Sequence, residues 1–140
     1  MGRIVGIDFG KVRIGVAISD ERRVIAQPLE TIRAGKDNAQ TAKLIAGSLL
    51  RYQNIDTVVI GLPLLLSGKE GEMALLVKAF AKAVEEALPY PVILWDERLT
   101  SSGVEKMLLG MDVSRKKRAE LSDALSAVSI LQNYLDSLRF

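Results

Sequence analysis

Residues 3–19, which read RIVGIDFGKVRIGVAIS, decide the first half of the fold. Arg3–Phe9 is a nearly continuous apolar run, which predicts a buried strand. The Gly10–Lys11 pair follows as a tight turn, and apolar residues then alternate with small or polar ones over residues 12–18, which predicts a β-hairpin. Gly15 leaves room for another element to pack closely on the second strand.

The rest of the chain adds one antiparallel strand and then alternates helices with strands. The third strand is predicted within Arg22–Thr31, interrupted or ended near Pro28. Two further strands are predicted at Thr57–Ile60 and Val92–Trp95. Four helices are predicted. The first follows a cap at Asp37 or Asn38, and the second follows a capping box of Ser67 and Glu70. The third runs from a cap at Thr100 or Ser101 to about Leu109, and the last covers about Arg115–Leu138. This order predicts an α/β fold in one domain over residues 1–140: a mixed five-stranded sheet, an antiparallel meander followed by parallel strands, with helices on both faces.

The amino-acid composition excludes several classes of enzyme. The chain has 140 residues, of which 49% are hydrophobic and 26% are charged, and it contains no His and no Cys. It therefore has no Ser–His–Asp triad, no thiol nucleophile and no zinc site of the usual ligands. Catalysis must use carboxylates, Lys, Tyr, Ser or Thr, helped by a hard cation that prefers oxygen ligands. The net charge of +2 permits a nucleic-acid partner without arguing for one.

Hydropathy predicts no membrane partner and a cytoplasmic location. Met1–Asp8 lacks the apolar region of a signal peptide. The longest apolar runs, such as Leu62–Leu66, are far shorter than the roughly 20 residues of a membrane span. The absence of Cys fits a reducing compartment.

Acidic residues close two of the predicted strands. Asp8 ends the first strand and the Asp96–Glu97 pair ends the last one. Alone, Asp8 is also typical of a turn, and Asp96–Glu97 is also typical of a surface salt bridge. In open α/β sheets, however, ligands bind outside the carboxyl ends of strands. If the two strands are neighbours, Asp8 and Glu97 face one crevice, where two carboxylates are costly without a cation between them.

Asp123 is a third candidate, on the predicted last helix. Small residues lie one turn away along the helix, at Ala119, Ser126 and Ala127, so the helix can approach another backbone or a bound phosphate closely. Lys116 lies two turns earlier on nearly the same face. A single helix acid is also typical of a solvated face. The remaining apolar positions predict an inward stripe of Leu121, Leu125, Val128, Leu131 and Leu135. The spacing supports the hypothesis of a three-carboxylate metal site.

The chain resembles the YqgF (RuvX) family over nearly its whole length. The matching blocks are Ile7–Gly10 with Arg13–Ala17 and Ser19–Asp20, Gly61–Leu64 with Gly68–Gly71, Asp96–Thr100, and Asp123–Leu125 with Leu131–Gln132. The resemblance implies a ribonuclease H-like fold related to Holliday junction resolvases, and a nuclease that matures the 5′ end of the 16S rRNA precursor. It also implies that Asp8, Glu97 and Asp123 are the catalytic, metal-binding carboxylates. The motif does not decide between Asp96 and Glu97, and Glu97 is chosen because the family's acid is a glutamate.

This resemblance leads to a hypothesis of two-metal hydrolysis of RNA phosphodiester bonds. Mg²⁺ or Mn²⁺ fits an all-oxygen site. The residues predicted to hold the nucleic-acid backbone are Lys11, Arg13, Arg98 and Lys116. The chain departs from the family's pattern at Lys11-Val12, at the loop Leu65–Gly68 and at Ser122, none of which is a predicted metal ligand.

Three alternatives remain open. One is a Holliday junction resolvase that acts on branched DNA and needs a dimer. The second is a non-cleaving RNA-binding factor for ribosome assembly or transcription. Ribosomal particles are expected partners both of this factor and of a nuclease that matures rRNA. The third is an ATPase of the sugar-kinase type, which needs two such domains where this chain supplies one. The oligomeric state, monomer or homodimer, is open as well.

Overall fold

A five-stranded mixed sheet forms the centre of the protein in a computed structural model, which describes residues 2–97 and 114–139 without the side chains of residues 115, 116 and 118–120. The strands are β1 (Arg3–Asp8), β2 (Arg13–Ser19), β3 (Ala26–Arg33), β4 (Ile55–Leu62) and β5 (Val92–Asp96). Their order across the sheet is β3-β2-β1-β4-β5. β1, β2 and β3 pair antiparallel, whereas β1, β4 and β5 pair parallel. The predicted mixed sheet is confirmed.

Helices cover both faces of this sheet, as predicted. The described helices are α1 (Asn38–Leu49), α2 (Glu72–Ala87) and α3 (Arg115–Ser137). One apolar core lies between the sheet and α1 with α2, and a second core lies between the sheet and α3. No helix within residues 2–97 and 114–139 has the length and apolarity to span a membrane. The helix predicted from Thr100 or Ser101 to about Leu109 lies outside the described residues.

The two helices on the first face begin differently. Asp37 caps α1 as predicted, and its Oδ1 accepts the Gln40 N–H at 2.8 Å. The capping box predicted for α2 is wrong, because Gly71 is the N-cap and makes no side-chain cap bond. The loop before α2 folds back through a bridge between Leu64 and Glu70. This turn leaves Ser67 at the loop tip, away from the first turn of α2.

The third strand begins later than the predicted window and ends two residues beyond it, and it is interrupted near Pro28 as predicted but does not end there. A register shift leaves Leu29 as an extra residue, because Val16 pairs with Glu30 while Ala17 pairs with Pro28. β3 is an edge strand. A proline is tolerated there because its missing N–H can face solvent.

The buried face of α3 is centred on small residues. Leu131 and Leu135 are fully buried as predicted, but Leu121, Leu125 and Val128 are only partly buried. The other buried positions are Ala124, Ala127 and Ile130. Small side chains let α3 approach the sheet so closely that a Cβ on Gly15 would lie 1.9 Å from the carbonyl oxygen of Asp123. The close backbone approach predicted for this helix is confirmed.

Candidate active site

Asp8 lies at the carboxyl end of β1, on the face of the sheet that α3 covers. Successive side chains of a strand point to opposite faces. Ile7 belongs to the core under α1 and α2, so Asp8 points to the α3 side together with Ile4 and Gly6. The side chain of Asp8 is half-buried at this edge.

Glu97 reaches Asp8 from the opposite side of β4. The two strands that carry the acids are not neighbours, because β4 lies between β1 and β5. The carboxyl groups of Asp8 and Glu97 nevertheless share a hydrogen bond. Ile93 and Trp95 pack toward α3, and Glu97 continues this alternation. The two acids therefore meet although their strands are not neighbours, the condition under which the sequence led us to expect the contact.

Gly61 of β4 makes this contact across the intervening strand possible. A Cβ on Gly61 would lie 2.8 Å from both Cγ and Oε1 of Glu97, and 2.6 Å from Cδ1 of Ile130. Distances this short are clashes, so a side chain at position 61 would displace the side chains of Glu97 and Ile130. The Glu97 side chain therefore lies over the backbone of β4, where a side chain would otherwise stand.

The carboxyl group of Asp8 holds its proton near neutral pH. Burial is the largest cause that raises the pKa of Asp8 from 3.8 to about 8, and the negative charge of Glu97, its hydrogen bond and the charge of Asp123 act in the same direction. These causes show that three carboxylates lie close enough to interact. At neutral pH a proton between Asp8 and Glu97 relieves part of their repulsion.

Asp123 is paired with Arg13 across the interface of α3 and β2. Arg13 Nε donates to Asp123 Oδ2 at 2.7 Å, and the two side chains are 40% and 25% exposed. The sequence suggested Lys116 as the cation beside this carboxylate, but the described partner is Arg13. The side chain of Lys116 lies outside the described part of the structure.

The remaining predicted contacts are only partly described. Lys11 is exposed in the turn between β1 and β2, where it lines a cavity of about 360 Å³ that also includes Lys36. Arg98 lies outside the described residues. Asp96 ends β5 with the side-chain direction opposite to that of Glu97.

The three carboxylates offer only oxygen donors, which suits Mg²⁺ or Mn²⁺. As the side chains stand, no group of three or more His, Cys, Asp or Glu residues within 2–97 and 114–139 is arranged to hold a metal ion. Asp8 and Glu97 are oriented toward each other, and Asp123 is oriented toward Arg13. The residues fit a hard cation in kind and proximity, and binding one requires these side chains to turn toward a common centre.

Two features of the site were missed in the sequence. Gly61 was noticed only as part of a strand end, although a glycine in a central strand is a signal of close approach. The partner of Arg13 was missed because residues 110 positions apart cannot be paired from one sequence.

Comparisons with known proteins support this fold. A family model described as "RuvX: Holliday junction resolvase" matches residues 2–137. A relative from Protochlamydia amoebophila, named "Putative pre-16S rRNA nuclease", is 48% identical and the match covers 96% of this chain and 93% of the relative. A relative from Bacillus subtilis with the same name is 43% identical, over 97% and 99% of the two chains.

Two solved structures have the same fold at low sequence identity. T. thermophilus RuvC in complex with a Holliday junction substrate matches with a TM-score of 0.57 at 18% identity, over 99% of this chain and 96% of RuvC. The Fowlpox virus resolvase in complex with Holliday junction DNA matches with a TM-score of 0.53 at 16% identity, over 97% and 98% of the chains. RuvC has the ribonuclease H-like fold that the family resemblance implies. With a family model that matches almost the entire chain and relatives above 40% identity, this protein belongs to the RuvX family of nucleases.

Proposed function

We propose that this protein is a divalent-metal-dependent endonuclease that cleaves RNA at the 5′ end of the 16S rRNA precursor. Asp8, Glu97 and Asp123 hold the cations and make up the catalytic site. The observation that carries the proposal is the position of these three acids at one edge of the sheet: Asp8 ends β1, Glu97 follows β5 and lies against Gly61, and Asp123 of α3 lies against Gly15. The names of the curated relatives support the choice of RNA substrate.

The chemistry assigned to the site is hydrolysis at phosphorus. Asp8, Glu97 and Asp123 would hold two divalent cations, which would supply a lowered pKa of the attacking water and stabilisation of the leaving oxygen. Asp8 gives up its proton when the site is loaded, because a carboxylate binds a cation only when it is ionised. Glu97 then turns from Asp8 toward the common centre. Lys11, Arg13, Arg98 and Lys116 hold the phosphates of the substrate strand, so binding weakens as salt rises.

A second candidate function is the resolution of branched DNA. The description of the matching family model as a Holliday junction resolvase favours it. The chemistry and the three acids are the same in both functions. A resolvase acts on a two-fold symmetric junction, which requires a dimer with two such sites.

The test is a cleavage assay with a labelled fragment of the 16S rRNA precursor that spans its mature 5′ end. Wild-type protein is expected to cut this fragment with Mn²⁺ and not with EDTA. Asp8→Asn is expected to reduce the rate at least about 100-fold, since a hydrolytic metal site that loses a ligand loses most of its catalysis. Glu86→Gln is the matched control, because it neutralises an exposed acid at the far end of α2 and is expected to cut normally.

Two other results would replace the proposal. Faster cutting of a four-way DNA junction than of the RNA fragment, by protein that is dimeric, would favour the resolvase. Tight binding of the RNA without cutting by clean wild-type protein would favour the non-cleaving factor for ribosome assembly.

A further inference from the structure

The ion pair between Arg13 and Asp123 is built into the packing of α3 on β2. Arg13 and Gly15 point to the same face of β2, because they are two residues apart on one strand. Gly15 lies directly against the carbonyl of Asp123, so the backbone of α3 is held at a fixed distance from the strand. The Arg13 Nε therefore meets Asp123 Oδ2 at 2.7 Å because the two backbones are already in place.

This contact engages one oxygen of one of the three carboxylates. Asp123 contributes to the electrostatic field at Asp8, yet its Oδ2 accepts from Arg13. An oxygen lone pair directed at a guanidinium is not directed at a cation in the site. Divalent-cation binding through Asp123 Oδ2 therefore weakens or breaks the pair with Arg13.

Arg13 has the exposure and the donors to take another partner once it is released. Its side chain is 40% exposed, more than the 25% of Asp123. A guanidinium carries five N–H donors, and its planar fork suits phosphate oxygens. A position at the rim of the acidic site is where the phosphates of a bound strand would pass.

We propose that Arg13 is a positioning residue that occupies Asp123 in the metal-free protein and exchanges it for substrate phosphate when a divalent cation binds. The inference rests on the metal site of the proposed function. It adds an order of events to that function: Asp123 Oδ2 leaves Arg13 for the cation, and the Nε–H of Arg13 then becomes available to the substrate phosphate.

The exchange can be followed directly by NMR of the arginine Nε–H groups in full-length protein. The Arg13 signal is assigned by its loss in Arg13→Lys. Titration with Mg²⁺ is expected to move the Arg13 signal to the position that it has in metal-free Asp123→Ala, where the acceptor is missing. The signal of Arg51 is the internal control and is expected to stay in place, because Arg51 is exposed beyond the end of α1, on the face of the sheet opposite to α3.

A second measurement uses isothermal titration of Mn²⁺ without nucleic acid. Arg13→Ala is expected to bind Mn²⁺ about fivefold more tightly than wild type, because no ion pair has to be broken. Arg33→Ala removes the same charge close by and is expected to stay within about twofold of wild type. The same Arg13→Ala protein is expected to cut RNA more slowly at saturating Mn²⁺, since it lacks the phosphate contact.

The outcomes separate this inference from the function on which it rests. Wild-type protein that binds neither Mg²⁺ nor Mn²⁺ would refute the metal site itself. Metal binding that leaves the Arg13 signal unmoved, or an Arg13→Ala protein that binds Mn²⁺ no more tightly than Arg33→Ala, would refute the exchange alone. In that case Arg13 simply ties α3 to β2.

Discussion

In the metal-free protein, burial and the neighbouring acids raise the pKa of Asp8. Its carboxyl group is half-buried beside Glu97 and Asp123, and its pKa rises to about 8. An unfolded chain holds the same group at its ordinary pKa of 3.8. Between these two pKa values the folded protein binds a proton that the unfolded chain has released, so this group makes stability depend on pH.

The first prediction follows from the sign of this difference. Because the folded state binds more protons than the unfolded state, the contribution of Asp8 to stability is present below about pH 4 and is lost as pH rises toward about 8. Asp8→Asn cannot ionise and is expected to melt several degrees above wild type at pH 8 in EDTA. The gap is expected to close toward pH 4, as measured by thermal unfolding followed by circular dichroism.

Glu86→Gln is the control for this measurement, because it removes an exposed acid outside the site. A gap between Asp8→Asn and wild type that stays constant from pH 4 to pH 8 would show that ionisation of Asp8 is not its cause.

At the scale of single elements, β4 separates the strands that lead to Asp8 and Glu97, and the Glu97 side chain crosses it to reach Asp8. The strand is central in the sheet, yet it has no side chain at Gly61 where the crossing occurs. Its other residues on the α3 side, such as Val59, pack into the second core. β4 therefore packs as an ordinary core strand except at Gly61, where the absence of a side chain makes room for Glu97.

The second prediction concerns Gly61→Ala. The added methyl group would lie 2.8 Å from Glu97 and 2.6 Å from Ile130, so Glu97 has to leave its position beside Asp8. We expect cleavage to fall at least about tenfold, because a displacement of about 1 Å at a reacting centre costs up to about 100-fold. We also expect a loss of about 1–3 kcal/mol of stability from overpacking.

Gly47→Ala is the matched control. Gly47 lies inside α1 with open space where the new methyl group would lie, so alanine there is expected to keep activity and to add about 0.4–1 kcal/mol of stability. Full activity in Gly61→Ala, with its fold intact, would mean that Glu97 does not need its present position.

Helix starts and buried faces were predictable from the sequence where capping residues and apolar spacing agree with the contacts made in the folded protein. Asp37 caps α1 because the side-chain oxygen acts within its own first turn. The capping box of Ser67 and Glu70 failed because the loop closes on itself and Glu70 pairs with Lys78 instead. For α3, hydrophobicity alone predicts that the large apolar residues face inward. The close approach of α3 to the sheet at Gly15 instead favours small buried residues such as Ala124 and Ala127.

At the scale of the whole molecule, the site joins parts of the chain that are distant in sequence. The sequence indicates Asp8 and Glu97 from strand ends and Asp123 from small residues along a helix, and the family resemblance implies all three. Their arrangement depends on the strand order, which places β4 between the strands of Asp8 and Glu97. That order comes from long-range pairing, and one sequence carries no direct record of it.

The third prediction concerns how the molecule attracts nucleic acid. With a net charge of only +2, binding depends on a few local cations rather than on the overall field. Lys11→Ala is expected to reduce the slope of log affinity against log salt by about 0.7 for single-stranded RNA, the value for one lost phosphate contact. Fluorescence anisotropy in EDTA measures this slope without cleavage.

Lys43→Ala, on the exposed face of α1, is the control and is expected to leave the slope unchanged. An equal change of slope in both variants would mean that Lys11 acts only through the total charge of the protein.

The dependence of the site on α3 also has a consequence during synthesis. Asp8 and Glu97 leave the ribosome before Asp123 does, and at about 5–20 residues per second the interval between residues 97 and 123 lasts about 1–5 s. Throughout that time the growing chain has two of the three acids, and α3 has not yet docked against Gly15. Under the proposed function the site is incomplete until α3 has been made and has docked, so ribosomal RNA close to the emerging chain is expected to meet an inactive protein.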